Sequence, residues 1–561
     1  MSKQNVAEFI LNALDKENID TVFLVPGGMI DPFLSGYLKT NMKMIVTAHE
    51  AGAAYMADGY ARAKQSFGVC LGIGGPGITN MITAIAAADA DRSPVLVIGG
   101  SIPKEWEGLE AVQDSSPSGI SDIEFMRPIT AYAQQIPTVS VVPRFFKKAI
   151  RSMFALRKRP AFLSIPLYIQ EQTLEESYTP IQPSLAPKVL DRTHTEKVSE
   201  ILSRSTRITL LVGNGSIHSQ ACDQIQTFAE QYAIPVVTTL RAKGAISEDH
   251  PLSYGVFGIA GSLQGTELIL KQSEVLIVLG ASLNEQNAVA VGDLNQVENI
   301  IHVDINPQDL EDSRYNAVPI IGDVGEFLIW LLNDSTSTNA LHQGTTERNS
   351  WLKEINKIPF YDSHEDRHTD QLPMHPARVL SELRKSAPKD SVVVVDSGAH
   401  TFFTAHHWTS YAPNECFVWT NNGPMGYAVS GAIGAKLARP QKPCIAIIGD
   451  GGMSMHGIEI QTAVRYNVPI VIVVINNGAL GNVYLRAYRE KKEGAIRLTE
   501  SPVHDWAKFA QSFGAEGVSV EHYEQLQSAF QSALSSYGPF LIDARCGKNY
   551  PTPNPGESAL L

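Results

Sequence analysis

GDGGMSMHGIEIQTAVRYNVPIVIVVINNGALG, residues 449–481, decides how the rest of this chain is read. The apolar run CIAII (444–448) leads into it, and a second run, IVIVV (470–474), follows after a segment of helix length. Short β-branched runs that end in glycine or asparagine read as buried parallel strands meeting loops. The stretch is therefore strand, glycine loop, helix, strand. Gly449, Gly451 and Gly452 let backbone N–H groups come close to an anion, and a helix N-terminus adds a favourable field. Asp450 would repel a phosphate in that loop. The conflict disappears if a divalent cation lies between them, since Mg²⁺ bridges a carboxylate to phosphate oxygens. The next strand ends in Asn476 and Asn477, whose amide oxygens are further candidate ligands. Asp450 and Asn477 end adjacent strands and so can face one ion. Either turn alone is an ordinary strand end rich in Asp, Asn and Gly; the pair carries the information.

Working outward, the same alternation fills the chain. A first set of strand-like runs is TVFLVPG (21–27), MIVTA (44–48), GVCLGIGG (68–75), PVLVIGG (94–100) and FLSIP (162–166). A second is RITLLVGNG (207–215), IPVVTT (234–239), VLIVLGAS (275–282) and IIHVDINP (300–307). A third is SVVVVDSG (391–398), CFVWT (416–420), CIAIIGDGG (444–452), IVIVVINN (470–477) and FLIDARC (540–546). Polar stretches at 171–194 and 333–350 separate the sets, the first reading as a proline-bearing linker. The expectation is an α/β protein of three doubly wound parallel-sheet domains, over 1–170, 190–335 and 370–550.

Composition agrees. The chain has 561 residues, 44% of them apolar and 18% charged, which suits several globular cores. A net charge of −13 with no basic run argues against nucleic acid. The five cysteines show no metal-ligand spacing and read as buried free thiols. The start reads as an amphipathic helix, not a signal peptide, and no apolar run is long enough for a membrane span. The expected compartment is the cytoplasm.

Two further stretches bear on chemistry. LGIGGPGITN places Gly72, Gly74 and Gly77 in a G-x-G-x-x-G frame, which alone is a weak dinucleotide fingerprint. Pro76 interrupts it, and Asp89 and Asp91 fall in or just after the helix instead of ending a next strand. VTAHEAGAAYMADGYARA (46–63) is rich in alanine and glycine, which suit close packing, yet carries Glu50 among neighbours that read as core.

The order GDG, helix, apolar strand, NN resembles the signature of thiamine diphosphate enzymes. By that resemblance Asp450, the side chain of Asn477 and the backbone carbonyl of Ala479 bind Mg²⁺, which holds the diphosphate. His49–Glu50 resembles the motif whose glutamate contacts the cofactor's aminopyrimidine ring. A carboxyl group in an apolar pocket has a raised pKa and can share a proton with a ring nitrogen, a shift that leads to loss of the thiazolium proton. The chain is most similar to acetolactate synthase catalytic subunits, through PGGMI (26–30), AHEAGAAYMADGYARA (48–63), GGPGITN (74–80), RPIT (127–130), LRAKGAISEDHPLSYGVFG (240–258), HVDINP (302–307) and NGPMGYAVSGAIGAKLA (422–438). The resemblance implies cofactor contacts from Pro26, Gly77, Asn80, Gly398, His400, Met425, Gly449, Gly451 and Gly452. Met425 would prop the cofactor in its bent shape, and Gln113 would be an active-site amide. It also implies an active site shared between subunits, hence a homodimer or homotetramer, and it admits FAD in the central domain.

Three departures concern the acceptor and the flavin. The family's GARFDDR is GASLNEQ (280–286) here, which puts Ser282 and neutral Gln286 where arginines are usual and weakens the case for FAD. LGMVRQWQ becomes LGNVYLRA (480–487), with Arg486 in place of a tryptophan, and the lysine of RPVTK becomes Ala131. The expected activity is decarboxylation of a 2-oxo acid, pyruvate first, with transfer of the two-carbon unit to an acceptor as in acetolactate synthase. The alternative is a 2-oxo acid decarboxylase or a carboligase with an aldehyde acceptor.

Overall fold

The apolar runs become strands buried on both faces, as in Val392–Val395 and Val471–Asn476, because helices cover both sides of each parallel sheet. The computed structural model describes residues 4–181, 188–283, 293–310, 315–419 and 421–553. Three six-stranded parallel sheets account for the three expected domains.

The first sheet uses β1 (Thr21–Leu24), β2 (Lys43–Val46), β3 (Gly68–Ile73), β4 (Val95–Ser101), β5 (Tyr132–Gln135) and β6 (Ala161–Pro166) in the order β2-β1-β3-β4-β6-β5. The central sheet uses β7 (Ile208–Val212), β8 (Val236–Thr238), β9 (Ser253–Val256), β10 (Val275–Leu279), β11 (Asn299–Asp304) and β12 (Ala317–Ile321) in the order β9-β8-β7-β10-β11-β12. The third uses β13 (Val392–Val395), β14 (Cys416–Val418), β15 (Cys444–Gly449), β16 (Val471–Asn476), β17 (Glu516–Val520) and β18 (Phe540–Arg545) in the order β14-β13-β15-β16-β18-β17. The strand order reverses at β1/β3, β7/β10 and β13/β15, and a crevice opens beyond the strand ends at such points.

The interdomain stretches are more structured than their composition suggests. Thr173–Leu174, inside the expected linker, pairs antiparallel with Gln4–Asn5. Residues 333–350 contribute to the helices Ser335–Gln343 and Thr345–Ile355. There the buried guanidinium of Arg348 donates to the carbonyls of Tyr232 (2.8 Å), Thr206 (3.2 Å) and Leu341, anchoring the helices to the central domain.

The first and third domains share one continuous apolar core. Its centre is the contact between the helices Glu50–Lys64 and Tyr427–Ala438. Small residues allow it: a Cβ on Gly59 would lie 2.2 Å from the Gly431 carbonyl oxygen, and one on Gly434 would lie 2.0 Å from that of Met56. The alanine and glycine content of the 46–63 stretch thus serves a near-backbone contact. A buried polar cluster flanks it, with the Tyr427 hydroxyl donating to Asp58 (2.9 Å) and Arg62 paired with the same carboxylate (2.8 Å).

Candidate active site

Parallel register brings the metal motif together. Gly449 pairs with Ile475, so Asp450 and Asn477 emerge side by side from β15 and β16. Asp450 opens the helix Asp450–His456, is buried, and has a carboxylate oxygen, Oδ2, with no partner in the chain. Burial pushes its pKa up to about 6, against the opposing pull of N–H groups from Gly451, Gly478 and Ala479. Asn477 is held by its Oδ1, which accepts from the Ala479 N–H at 3.1 Å. Asn476, the other candidate ligand, is turned away. Its Nδ2 donates to Asp543 (2.8 Å) and to the His504 carbonyl (2.9 Å), as the alternation of side chains along a strand requires.

A cavity surrounds this pair, lined by Gly398, His400, Met425, Gly449, Asp450, Gly451, Gly452, Asn477 and Ala479, among others. A Cβ on Gly451 would come within 2.8 Å of Met425 and Leu480, so the floor must be glycine. His400 is buried, with Nε2 unpartnered, and burial pushes its pKa down to about 4, which keeps the ring neutral near neutral pH. The donor set (a carboxylate, an amide and backbone carbonyls) is all oxygen and suits a hard cation. Among the described residues, no group of three or more His, Cys, Asp or Glu side chains offers a rival metal site. The orphaned Oδ2 and the glycine floor fit a metal-bound diphosphate.

The first-domain candidates form a second cluster, at the ends of β1, β2 and β3. Glu50 is the first residue of its helix, but it does not cap it. His49 does, its Nδ1 accepting the Ala51 N–H at 3.0 Å. The Glu50 carboxylate instead accepts from Nδ2 of Asn80 at 2.9 Å, and a Cβ on Gly77 would lie 3.8 Å from Oε1. Pro26, Asn80 and Gln113 are not buried, and Gln113 sits on left-handed backbone (φ 61°) against Gly75. The apolar pocket expected around Glu50 is not supplied by one chain. Glu50 is half-buried, and the open side of its cluster faces solvent.

The glycine frame at 72–77 is occupied by protein. Asp122 accepts the Gly75 N–H with both carboxylate oxygens at 3.2 Å, and a Cβ on Gly74 would lie 2.0 Å from the Ser115 hydroxyl. A carboxylate already sits where a dinucleotide phosphate would bind, which argues against that reading. Of the departures, Ser282 accepts from Arg92 at 2.8 Å, Arg486 and Ala131 are exposed, and Gln286 lies outside the described residues.

No described first-domain residue lines the cavity at Asp450. The chain gathers the sequence-derived residues into two half-sites and does not join them. A larger cleft, with a cavity volume of about 430 Å³, lies between the first and central domains at the β7/β10 switch point. Arg92, Lys158, Arg241, Asn214, Ser282 and Asp304 are among its lining residues.

A glycine floor with an orphaned carboxylate thus lies on one sheet, and a presented glutamate on another of like topology. Models of the thiamine pyrophosphate enzymes match all three domains: the N-terminal TPP binding domain over 4–121, the central domain over 195–331 and the C-terminal TPP binding domain over 396–544. A probable acetolactate synthase large subunit of Methanocaldococcus jannaschii is 31% identical over 556 residues, covering 96% of this chain and 91% of its own length. One from Methanococcus aeolicus is 30% identical with the same coverage. The acetolactate synthase isozyme 2 large subunit of Escherichia coli is 28% identical, covering 96% of this chain and 95% of its own. The chain belongs to the thiamine pyrophosphate enzymes, in the family of acetolactate synthase large subunits.

Proposed function

We propose that this enzyme decarboxylates a 2-oxo acid, pyruvate first, and passes the two-carbon unit to an acceptor, with thiamine diphosphate and Mg²⁺ as cofactors. The observation that carries the reading is the buried, unpartnered Oδ2 of Asp450 beside Asn477 over a glycine floor. In this reading Asp450, Asn477 and the Ala479 carbonyl hold Mg²⁺. The N–H groups of the Gly449–Gly452 turn would hold the diphosphate, and His400 and Met425, which line the same cavity, would contact the cofactor. Thiamine diphosphate, when bound, supplies the nucleophilic carbon and the electron sink for decarboxylation. Glu50 holds and moves a proton at its carboxylate, with Asn80 fixing its orientation. Gln113 is the candidate active-site amide of the first-domain cluster.

The two half-sites support a homodimer, or a dimer of dimers, in which the Glu50 cluster of one chain closes over the diphosphate cavity of the other. Exposed apolar side chains flank both halves: Trp106, Val112 and Phe125 on one, Leu480, Val483 and Val503 on the other. Closure by a second copy would supply the apolar surroundings that Glu50 lacks in one chain. The large cleft, with its cations and Asp304, suits a dinucleotide, and FAD is its candidate occupant, with Ser282 in place of the family's arginine counting against it. The visible absorbance spectrum of the purified protein decides that assignment. Five free cysteines suit a reducing compartment, and we assign the chain to the cytoplasm. Among the described residues no helix is long and apolar enough to cross a membrane.

The test is carbon NMR of labelled pyruvate with protein, Mg²⁺ and thiamine diphosphate. Acetolactate is the expected product. The exposed Arg486 and Ala131, in place of the family's tryptophan and lysine, favour one second reading, transfer to another acceptor such as an aldehyde. Acetaldehyde alone, or product only when an aldehyde is added, would establish it.

A further inference from the structure

Glu459 lies just beyond the Asp450–His456 helix and is fully buried between the first and third domains. Its carboxylate accepts the Ala48 N–H at 3.1 Å on Oε2 and the His49 N–H at 3.1 Å on Oε1, and the Thr462 hydroxyl donates to Oε2 at 2.6 Å. Ala48 and His49 are the two residues that lead into Glu50. Such a close approach needs a gap in the helix surface, and Gly52 provides it: a Cβ there would lie 1.9 Å from Oε1 and 2.5 Å from the carboxyl carbon. The third domain holds the preceding strand as well, the Val46 N–H donating to the Tyr466 hydroxyl at 2.8 Å.

These contacts divide the labour at the start of the Glu50–Lys64 helix. The His49 ring takes the Ala51 N–H, and Glu459 takes the two N–H groups before Glu50. A carboxylate at a helix N-terminus is favoured by the helix field, and its bonds to N–H are charge-assisted. The direction in which Glu50 leaves the backbone is therefore set from another domain of the same chain.

We infer that Glu459 is the positioning residue for Glu50. The inference rests on the role proposed above for Glu50. It has a specific consequence in the dimer. Glu459 follows directly from the helix that carries Asp450, yet the Glu50 that it positions serves the cofactor held by the other chain. One rigid segment would thus contribute to both active sites.

The test uses mixed dimers, with two tags, co-expression and purification on both. Glu459→Gln keeps the size of the side chain but can accept only one of the two N–H groups. The Glu459→Gln homodimer is expected to lose about tenfold to a hundredfold in kcat for carbon dioxide release, with KM and thiamine diphosphate affinity within about twofold of wild type. In a dimer of one Glu459→Gln chain and one Asp450→Ala chain, the site that keeps Asp450 receives Glu50 from the chain with an intact Glu459. Half of the wild-type activity is expected. A mixed dimer as slow as the Glu459→Gln homodimer would overturn the inference, because Glu459 would then act on its own diphosphate cavity. The control pairs Glu50→Gln with Asp450→Ala and is also expected at half activity. An inactive control removes the cross-chain reading alone. The Glu459 assignment would then be decided by the homodimer, where loss of cofactor affinity in place of kcat overturns it. Gly52→Ala displaces the same carboxylate from the other side and is expected to repeat the kcat pattern if Glu459→Gln folds poorly.

Discussion

Gly59→Ala tests the helix pair that locks the first domain to the third. In an unpacked helix the exchange favours alanine by up to about 1 kcal/mol. Here the added Cβ would sit 2.2 Å from the Gly431 carbonyl oxygen and 2.8 Å from the Gly431 Cα. A carbon–oxygen contact settles at about 3.3 Å or more, so the helices must part by about 1 Å along that line. A gap of that size forfeits roughly a quarter to a half of the dispersion energy between facing atoms. Overpacking a buried site costs about 1–3 kcal/mol, and the upper end applies where backbone meets backbone and no flexible side chain can yield. Subtracting the propensity gain leaves a loss of about 2 kcal/mol, a fall of about 4–8 °C in the unfolding midpoint for a unit of 150–250 residues. Gly494→Ala is the matched control. It lies in the Glu493–Thr499 helix with nothing within 4 Å of the added Cβ, so its midpoint is expected at or slightly above wild type. The assay is thermal unfolding of the three proteins side by side. A Gly59→Ala protein that melts with wild type, or falls no further than Gly494→Ala, would refute the argument from close approach.

Glu50→Gln is expected to bind thiamine diphosphate as wild type does, by calorimetric titration, while turnover falls by about 10²-fold or more; undiminished carbon dioxide release would remove Glu50 from the mechanism. Asp122→Asn gives a pH-dependent effect on stability. Burial pushes the Asp122 pKa from 3.8 up to about 7, so ionisation is easier in the unfolded chain. The native state keeps its full advantage below the unfolded value and loses it as pH rises towards 7. The amide of the variant never ionises, so the variant is expected to melt above wild type at pH 8, with the gap closing as pH falls to 4. A gap that is flat across that range, or that widens at low pH, would contradict the assignment.

In the three six-stranded sheets the expected strands matched in place, and the four described there that the sequence did not reveal have one cause. Tyr132–Gln135, Ser253–Val256, Ala317–Ile321 and Glu516–Val520 all lie at sheet edges. An edge strand has a neighbour on one side only, so its sequence need not be a continuous apolar run, and EGVSV is not. The cluster at Asp450 was legible because its glycine loop, candidate ligands and helix are contiguous in the chain. The choice between Asn476 and Asn477 depends on which face of the strand meets the cavity, and Asp543 holds Asn476 away from it from far along the sequence. Glu459 and Asp122 left no local signal. Each acts on backbone N–H groups of a distant segment, and nothing in GIEIQT or ISDIEF marks a carboxylate that will be buried there.

The first and third sheets have the same strand order, and in each the helix that follows the second strand is one of the two that pack together, Glu50–Lys64 and Tyr427–Ala438. The two domains are thus alike in topology and meet helix on equivalent helix. The loops that follow the third strands are then counterparts too. The loop at Gly449–Gly452 carries an acid with an unpartnered oxygen, and the loop at Gly74–Gly77 has its N–H filled by Asp122. Glu50 and Met425 stand at matching stations, one opening its helix and the other just ahead of its own. Two sheets of one topology thus present different side chains at equivalent strand ends.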